Sequence, residues 1–177
     1  MLTSVAGLSG LSSVELNIEI ADNPALTSLE GLESLSFVGS YLTVFNNDAL
    51  TSLAVLEDLS SMGSGLYVYD NAALTNLSGL ENLTSLGKSL RVYDNPALTS
   101  LSGLEGLTSV KGDVYVDDND ALTSLSSLEN LSTVEGDLEI TDNDNLCEDE
   151  VEAIIAQLAS FSGAVINTGN LGTCPSA

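Results

Sequence analysis

The segment Asn23-Pro24-Ala25-Leu26-Thr27-Ser28-Leu29 returns twenty-four residues later as Asn47-Asp48-Ala49-Leu50-Thr51-Ser52-Leu53, again from Asn71, Asn95 and Asn119, and in altered form from Asn143. A fixed period in this range constrains the fold more than any local propensity does. Each unit is too short to bury its own apolar face, so the chain is stable only as a stack of similar coils. The pattern in one coil gives its cross-section. From Asn23, apolar residues fall at Leu26, Leu29, Leu32, Leu35 and Val38 and then at Leu42 and Val44, so the spacing changes from three to two. Alternation over Leu42-Thr43-Val44-Phe45 predicts a strand with Leu42 and Val44 inward, and the three-residue spacing predicts tight turns and short extended pieces. Ile18/Ile20, Leu66/Val68, Leu90/Val92, Val114/Val116 and Leu138/Ile140 fill the same inward positions. The predicted fold is therefore all-β, a parallel β-solenoid of 24-residue coils.

Residues 1–146 form the repeat solenoid and 147–177 its C-terminal cap, within one domain. In the cap, Glu148-Asp149-Glu150 leads into Val151, Ile154, Ile155, Leu158 and Phe161, an amphipathic helix over about 148–161 with acids at its positive end. Gly163 stops it, a last strand follows over 164–167, and the helix is expected to lie across the open end of the core. Cys147 and Cys174 flank this segment, and a disulfide between them would close it, which favours an oxidising, extracellular setting. Met1-Leu2-Thr3-Ser4-Val5 aligns with Ala25-Leu26-Thr27-Ser28-Leu29. The chain thus starts in mid-coil and reads as a segment of a longer secreted protein. Its uncapped start is an expected site of self-association.

Three basic residues stand against 26 acidic ones, for a net charge of −23. That balance opposes nucleic acid and anionic membranes as partners. No run reaches the ~20 apolar residues of a membrane span, so insertion is not expected.

The pieces Leu66-Tyr67-Val68-Tyr69-Asp70-Asn71-Ala72-Ala73-Leu74 and Leu90-Arg91-Val92-Tyr93-Asp94-Asn95-Pro96-Ala97-Leu98 carry the LxLxxNxxL core of leucine-rich repeats. With Leu77-Ser78-Gly79-Leu80-Glu81-Asn82-Leu83-Thr84-Ser85-Leu86-Gly87, the chain resembles more closely the receptor L-domain family, the leucine-rich-repeat-like β-solenoids of growth-factor receptor ectodomains and many microbial surface proteins. The resemblance runs over about residues 2–146. It implies a right-handed solenoid in secreted or surface-displayed proteins, used for ligand binding or adhesion, with no catalytic residues to carry over.

Function is sought where the repetition breaks. One outward column reads Glu19, Thr43, Tyr67, Arg91, Tyr115 and Glu139, and the next Ala21, Phe45, Tyr69, Tyr93, Asp117 and Thr141. Alternation thus gathers Phe45, Tyr67, Tyr69, Tyr93 and Tyr115 around Arg91 on one solvent-facing surface. Aromatic pairs on neighbouring strands also stabilise a sheet, but a patch confined to the middle coils points to a protein or glycan ligand. Along the edge run Asp70, Asp94, Asp118 and Asp142 with Asp117, Asp120 and Asp144. This is a solvated acidic face in which Asp94, Asp117 and Asp118 are weak candidates for calcium. The Asn23-to-Asn143 column is expected to be a structural asparagine ladder. No enzyme is expected, because the chain has no histidine, its cysteines lie in the cap, and its hydroxyls are repeat decoration without a base. The leading expectation is a non-catalytic extracellular recognition or adhesion module. A structural solenoid of a surface assembly is the alternative, and ice or calcium-dependent surface binding is the third.

Overall fold

In the computed structural model, which describes residues 2–174, two parallel seven-stranded sheets run the length of the molecule. Met1 and residues 175–177, the outer ends of the two expected spans, lie outside the described residues. The wide sheet is formed by β2 (Ile18–Ala21), β4 (Leu42–Phe45), β6 (Leu66–Tyr69), β8 (Leu90–Tyr93), β10 (Val114–Asp117), β12 (Leu138–Thr141) and β14 (Val165–Thr168). The narrow sheet uses two-residue strands: β1 (Ser13–Val14), β3 (Phe37–Val38), β5 (Ser61–Met62), β7 (Ser85–Leu86), β9 (Ser109–Val110), β11 (Thr133–Val134) and β13 (Ser160–Phe161). Each strand pairs in register with its equivalent one coil away, as in Leu66 with Leu90 and Val68 with Val92. This is the architecture of a parallel β-solenoid.

The three-residue leucine spacing has a direct hydrogen-bonding cause. Leu50 donates its N–H to the Asn47 carbonyl, Leu56 to Leu53, and Leu59 to Leu56. A chain of i-to-i+3 turns returns the inward direction every third residue, as in short 3-10 pieces such as Ala54–Leu56. Alternation takes over in the wide strands, whose inward Leu42, Val44, Leu66, Val68, Leu90 and Val92 are fully buried. Coverage thins at the first coil, where Leu2, Leu8 and Leu16 are exposed and a recess of about 200 Å³ opens among Leu2, Val5, Leu8, Leu11 and Ile18.

From Asn47 onward the asparagine column is a ladder of buried amides, whereas Asn23, expected to begin it, is half-buried and among the described residues donates only to its own Ala21 carbonyl. Asn95 Nδ2 donates to Val68 O of the preceding coil (3.1 Å), to Tyr93 O of its own (2.9 Å) and to Asn119 Oδ1 of the next (3.2 Å). Its Oδ1 accepts from the backbone and side-chain amides of Asn71 (3.2 and 3.3 Å). The pattern continues to Asn170. Only Asn47 Oδ1, at the start of the ladder, is buried without a partner among the described residues. Left-handed backbone falls on the residue before each asparagine of the column: Asp22, Asn46, Asp70, Asp94, Asp118 and Asp142, with φ of 50 to 58°. Asp and Asn tolerate this region better than other residues with a Cβ.

The C-terminal cap departs from the expected outline. Helix α1 covers Glu148–Gln157, short of 161, because Leu158 turns extended (ψ 115°) and Ser160–Phe161 pair with Thr133–Val134 as β13. Phe161 is therefore a strand residue. Gly163 sits instead against the carbonyl of Gly136, where a Cβ has no room. Nor does α1 lie across an open end: it replaces the turn wall of a seventh coil, completed by β13 and β14. Val151 and Ile154 are buried, Gln157 Nε2 donates to Leu131 O (3.2 Å), and Glu150 accepts from the Leu125 N–H (2.9 Å) one coil below. The last strand itself remains half open, with Val165 39% exposed. Cys147 and Cys174 are joined in a disulfide across a separation of 27 residues. In the chain-entropy account a link of this span stabilises by roughly 3–4 kcal/mol. Among the described residues, no helix is long and apolar enough to cross a membrane.

Candidate functional site

Parallel register turns the sequence columns into physical ladders on the outer surface of the wide sheet. Phe45 pairs with Tyr69, and Tyr69 with Tyr93. Their rings stack face to face at centroid separations of 4.7 and 4.6 Å and interplanar angles of 8 and 4°. These separations match the ~4.8 Å distance between strands, so the sheet itself sets the stack. Tyr115 ends this run edge-on to Tyr93 (5.7 Å, 75°). In the neighbouring column the Arg91 guanidinium carbon lies 5.6 Å from the Tyr67 centroid and 6.0 Å from that of Tyr115. Arg91 Nη2 also lies 3.8 Å from Asp113 Oδ2. All six expected contact residues thus share one continuous face.

Two members of this face were not singled out from the sequence. Tyr41, one residue before β4, packs on Tyr67 at 5.0 Å, and Asp113, one before β10, pairs with Arg91. Carrying the outward alternation one step back from Thr43 and Tyr115 would have found both. Gly65 makes the first contact feasible: a Cβ there would approach both Tyr41 and Tyr67 to 3.2 Å and the Ser89 carbonyl oxygen to 2.4 Å.

The electrostatics keep the phenols protonated. Burial pushes the Tyr69 hydroxyl above its ordinary pKa, with Glu19, Asp70 and Asp22 adding to the rise. Burial acts likewise on Tyr67, Tyr93 and Tyr115, and Asp117 adds to the Tyr115 shift by accepting its hydroxyl proton at 2.7 Å. The ring tips are therefore hydrogen-bond donors at neutral pH. Burial also raises Asp94 and Asp118, reinforced by neighbouring aspartates.

The weak calcium candidates do not converge. Asp94, Asp117 and Asp118 fail to bring three ligand oxygens within 4.8 Å, and Asp117 accepts from both the Tyr115 and Thr141 hydroxyls. Among the described residues the one convergence of such groups is Cys147, Asp149 and Cys174, whose two sulfurs are consumed by the disulfide. A concavity of about 630 Å³ lies on the turn wall among Thr27, Glu33, Thr51, Val55 and Asp58. It holds no aromatic residue, whereas the flat wide-sheet face carries the departures from the repeat. Along a solenoid, whose stacked coils offer an extended surface, the composition of a face outweighs its depth. Ice binding would draw on the threonines that recur from Thr27 to Thr123, and these are partly spent internally, since Thr99 and Thr123 hydroxyls donate to the carbonyls of Thr75 and Thr99.

Comparison with known proteins adds no kinship: no family model matches the chain, and no curated protein or solved structure matches it.

Proposed function

We propose that this protein is a non-catalytic recognition or adhesion module of the extracellular space or cell surface, akin in architecture and use to receptor L-domains, that contacts a protein or glycan through the outer face of its wide sheet. The ladder Phe45, Tyr69, Tyr93 and Tyr115 carries this reading. It lies outside a core already filled by aliphatic residues, is confined to the middle coils, and presents protonated hydroxyl tips beside Arg91. The disulfide agrees with an oxidising setting. A sequence without histidine agrees with binding rather than catalysis.

The test is a glycan array and a surface-protein pull-down with wild type and the Tyr69→Ala/Tyr93→Ala protein. Aromatic anchors at the centre of an interface contribute about 2 kcal/mol or more each, so the double variant is expected to lose its ligand while still unfolding cooperatively. Ligands retained at full affinity by the variant would move the site off this face.

A further inference from the structure

The two aromatic columns of the face end differently, and one shows what the other lacks. In the first column a guanidinium, that of Arg91, fills the step between Tyr67 and Tyr115 and meets the carboxylate of Asp113. The face thus already holds one arginine by ring faces and an acid. In the second column the rings climb in near-parallel steps from Tyr93 through Tyr69 to Phe45, and there they stop. The next position in register is Ala21. Its methyl group leaves the far side of the Phe45 ring without an aromatic partner, one strand spacing above the backbone of β2.

Carboxylates flank that step. Glu19 is two residues back on the same outward side of β2 and is exposed. Asp22 follows Ala21 in left-handed conformation (φ 58°). Asp22 Oδ1 accepts from Asn46 Nδ2 at 2.9 Å, which ties the carboxylate to the coil that carries Phe45 and leaves Oδ2 for another donor. The arrangement is therefore one aromatic face with two acids beside it, where Arg91 has two rings and one acid: the same kinds of group, without a guanidinium.

We propose that the step above Ala21 receives an arginine side chain of a basic protein partner, stacked on Phe45 and paired with Asp22 and Glu19. This rests on the reading of the face as a recognition surface and narrows it to one partner class. A guanidinium is planar and continues a stack of 4.6–4.7 Å steps; a lysine ammonium is a compact, strongly hydrated point charge that does not. A neutral sugar is less well matched, because the inner faces of Phe45, Tyr69 and Tyr93 cover one another and the remaining open face lies between carboxylates. The net charge of −23 steers a basic partner toward the protein before contact.

The experiment uses a fluorescent decapeptide of alternating arginine and glycine, with lysine and citrulline counterparts. Each is titrated into the whole protein to millimolar concentration, at low and high salt. Ala21→Tyr is the main variant: it fills the step with a ring opposite Phe45 and is expected to leave thermal unfolding unchanged or slightly raised. Asp22→Asn is the second, since asparagine occupies the same left-handed column at Asn46. Binding of the arginine peptide should weaken about tenfold or more with Ala21→Tyr and with citrulline, less with lysine, and fall with salt. Binding that Ala21→Tyr leaves intact but Tyr69→Ala/Tyr93→Ala abolishes overturns the arginine step and keeps the recognition face. Indifference to both variants overturns the two together. An arginine peptide that does not bind, or binds no better than citrulline, overturns the arginine step whatever else the face retains.

Discussion

Two ladders climb this molecule in parallel, one of asparagines inside the turn and one of aromatic rings outside the sheet, and they obey different rules. From Asn47 to Asn143 the asparagine stands at every twenty-fourth residue, and Asn170 continues the ladder after a step of 27, fully or almost fully buried throughout. The stacked rings run from Phe45 to Tyr93, with Ala21 before them in register and Asp117 and Thr141 after. Repetition imposed by buried hydrogen-bonding groups cannot be interrupted without orphaning a neighbour. An outward column carries no such obligation, so its composition is free to serve contact. Strict periodicity therefore marks what holds the fold, and the break in periodicity marks the surface available for recognition.

The comparison is broken most severely from the inside. Asn95→Ala orphans the Asn71 N–H and the carbonyls of Val68 and Tyr93. At about 1–3 kcal/mol for each unsatisfied buried group, a loss of roughly 3–6 kcal/mol is expected in urea unfolding. Asn47→Ala should cost less, because the Asn47 Oδ1 has no partner to lose and the Phe45 carbonyl keeps the Asp22 N–H as a donor, so that the Ile20 carbonyl and the link to Asn71 bear the loss. Equal losses at the two sites would mean that the ladder is not a chain of individually satisfied bonds.

The exterior ladder should matter less to stability than to binding. Tyr69→Ala/Tyr93→Ala removes ring pairs worth about 0.2–1 kcal/mol each beyond alanine. Denaturation should therefore shift by about 1–2 kcal/mol, below the loss in affinity expected of the same double variant. A shift as large as that of Asn95→Ala would make the rings structural.

The smallest effect is electrostatic. Burial and neighbouring aspartates raise the folded-state pKa of Asp94 and Asp118, so the folded protein holds their protons more tightly than the unfolded chain does. Their contribution to stability is thus unfavourable at neutral pH. It falls as pH rises from the ordinary aspartate value through the raised folded value, and it is absent below the ordinary one. Asp94→Asn should raise the melting temperature by about a degree at neutral pH, consistent with the small effects of surface substitutions. The gain should vanish in acid and shrink with salt. A melting temperature that falls at neutral pH would show that Asp94 serves the left-handed turn better than asparagine does.

Much of the fold was legible in the residues because its causes are local and repeated. Leucines three apart announced turns closed every third residue, alternation at Leu42 and Val44 announced the wide strands, and the asparagine column announced its ladder. The two-residue strands of the narrow sheet were anticipated only as short extended pieces, since a dipeptide such as Ser61–Met62 becomes a strand by pairing with Phe37–Val38 twenty-four residues earlier. The end of α1 was hidden for the same reason: Ser160–Phe161 fits a helix locally and is drawn into the sheet by Thr133–Val134. At the candidate site, the outward columns could be named but not their contacts. Tyr41 meets Tyr67 across the gap at Gly65, and Asp117 is held by hydroxyls of its own and the next coil.

By itself, then, the sequence determined the period, the inward and outward residues of each coil, and the cysteine pair, because periodicity, burial and turn chemistry are written in single residues and their spacing. Tertiary structure alone decided that three rings stack nearly parallel, that Arg91 is held between two tyrosines, and that Asn46 ties the Asp22 carboxylate to the coil of Phe45. These depend on the separation and register of strands from different coils, which bring together side chains twenty-four residues apart.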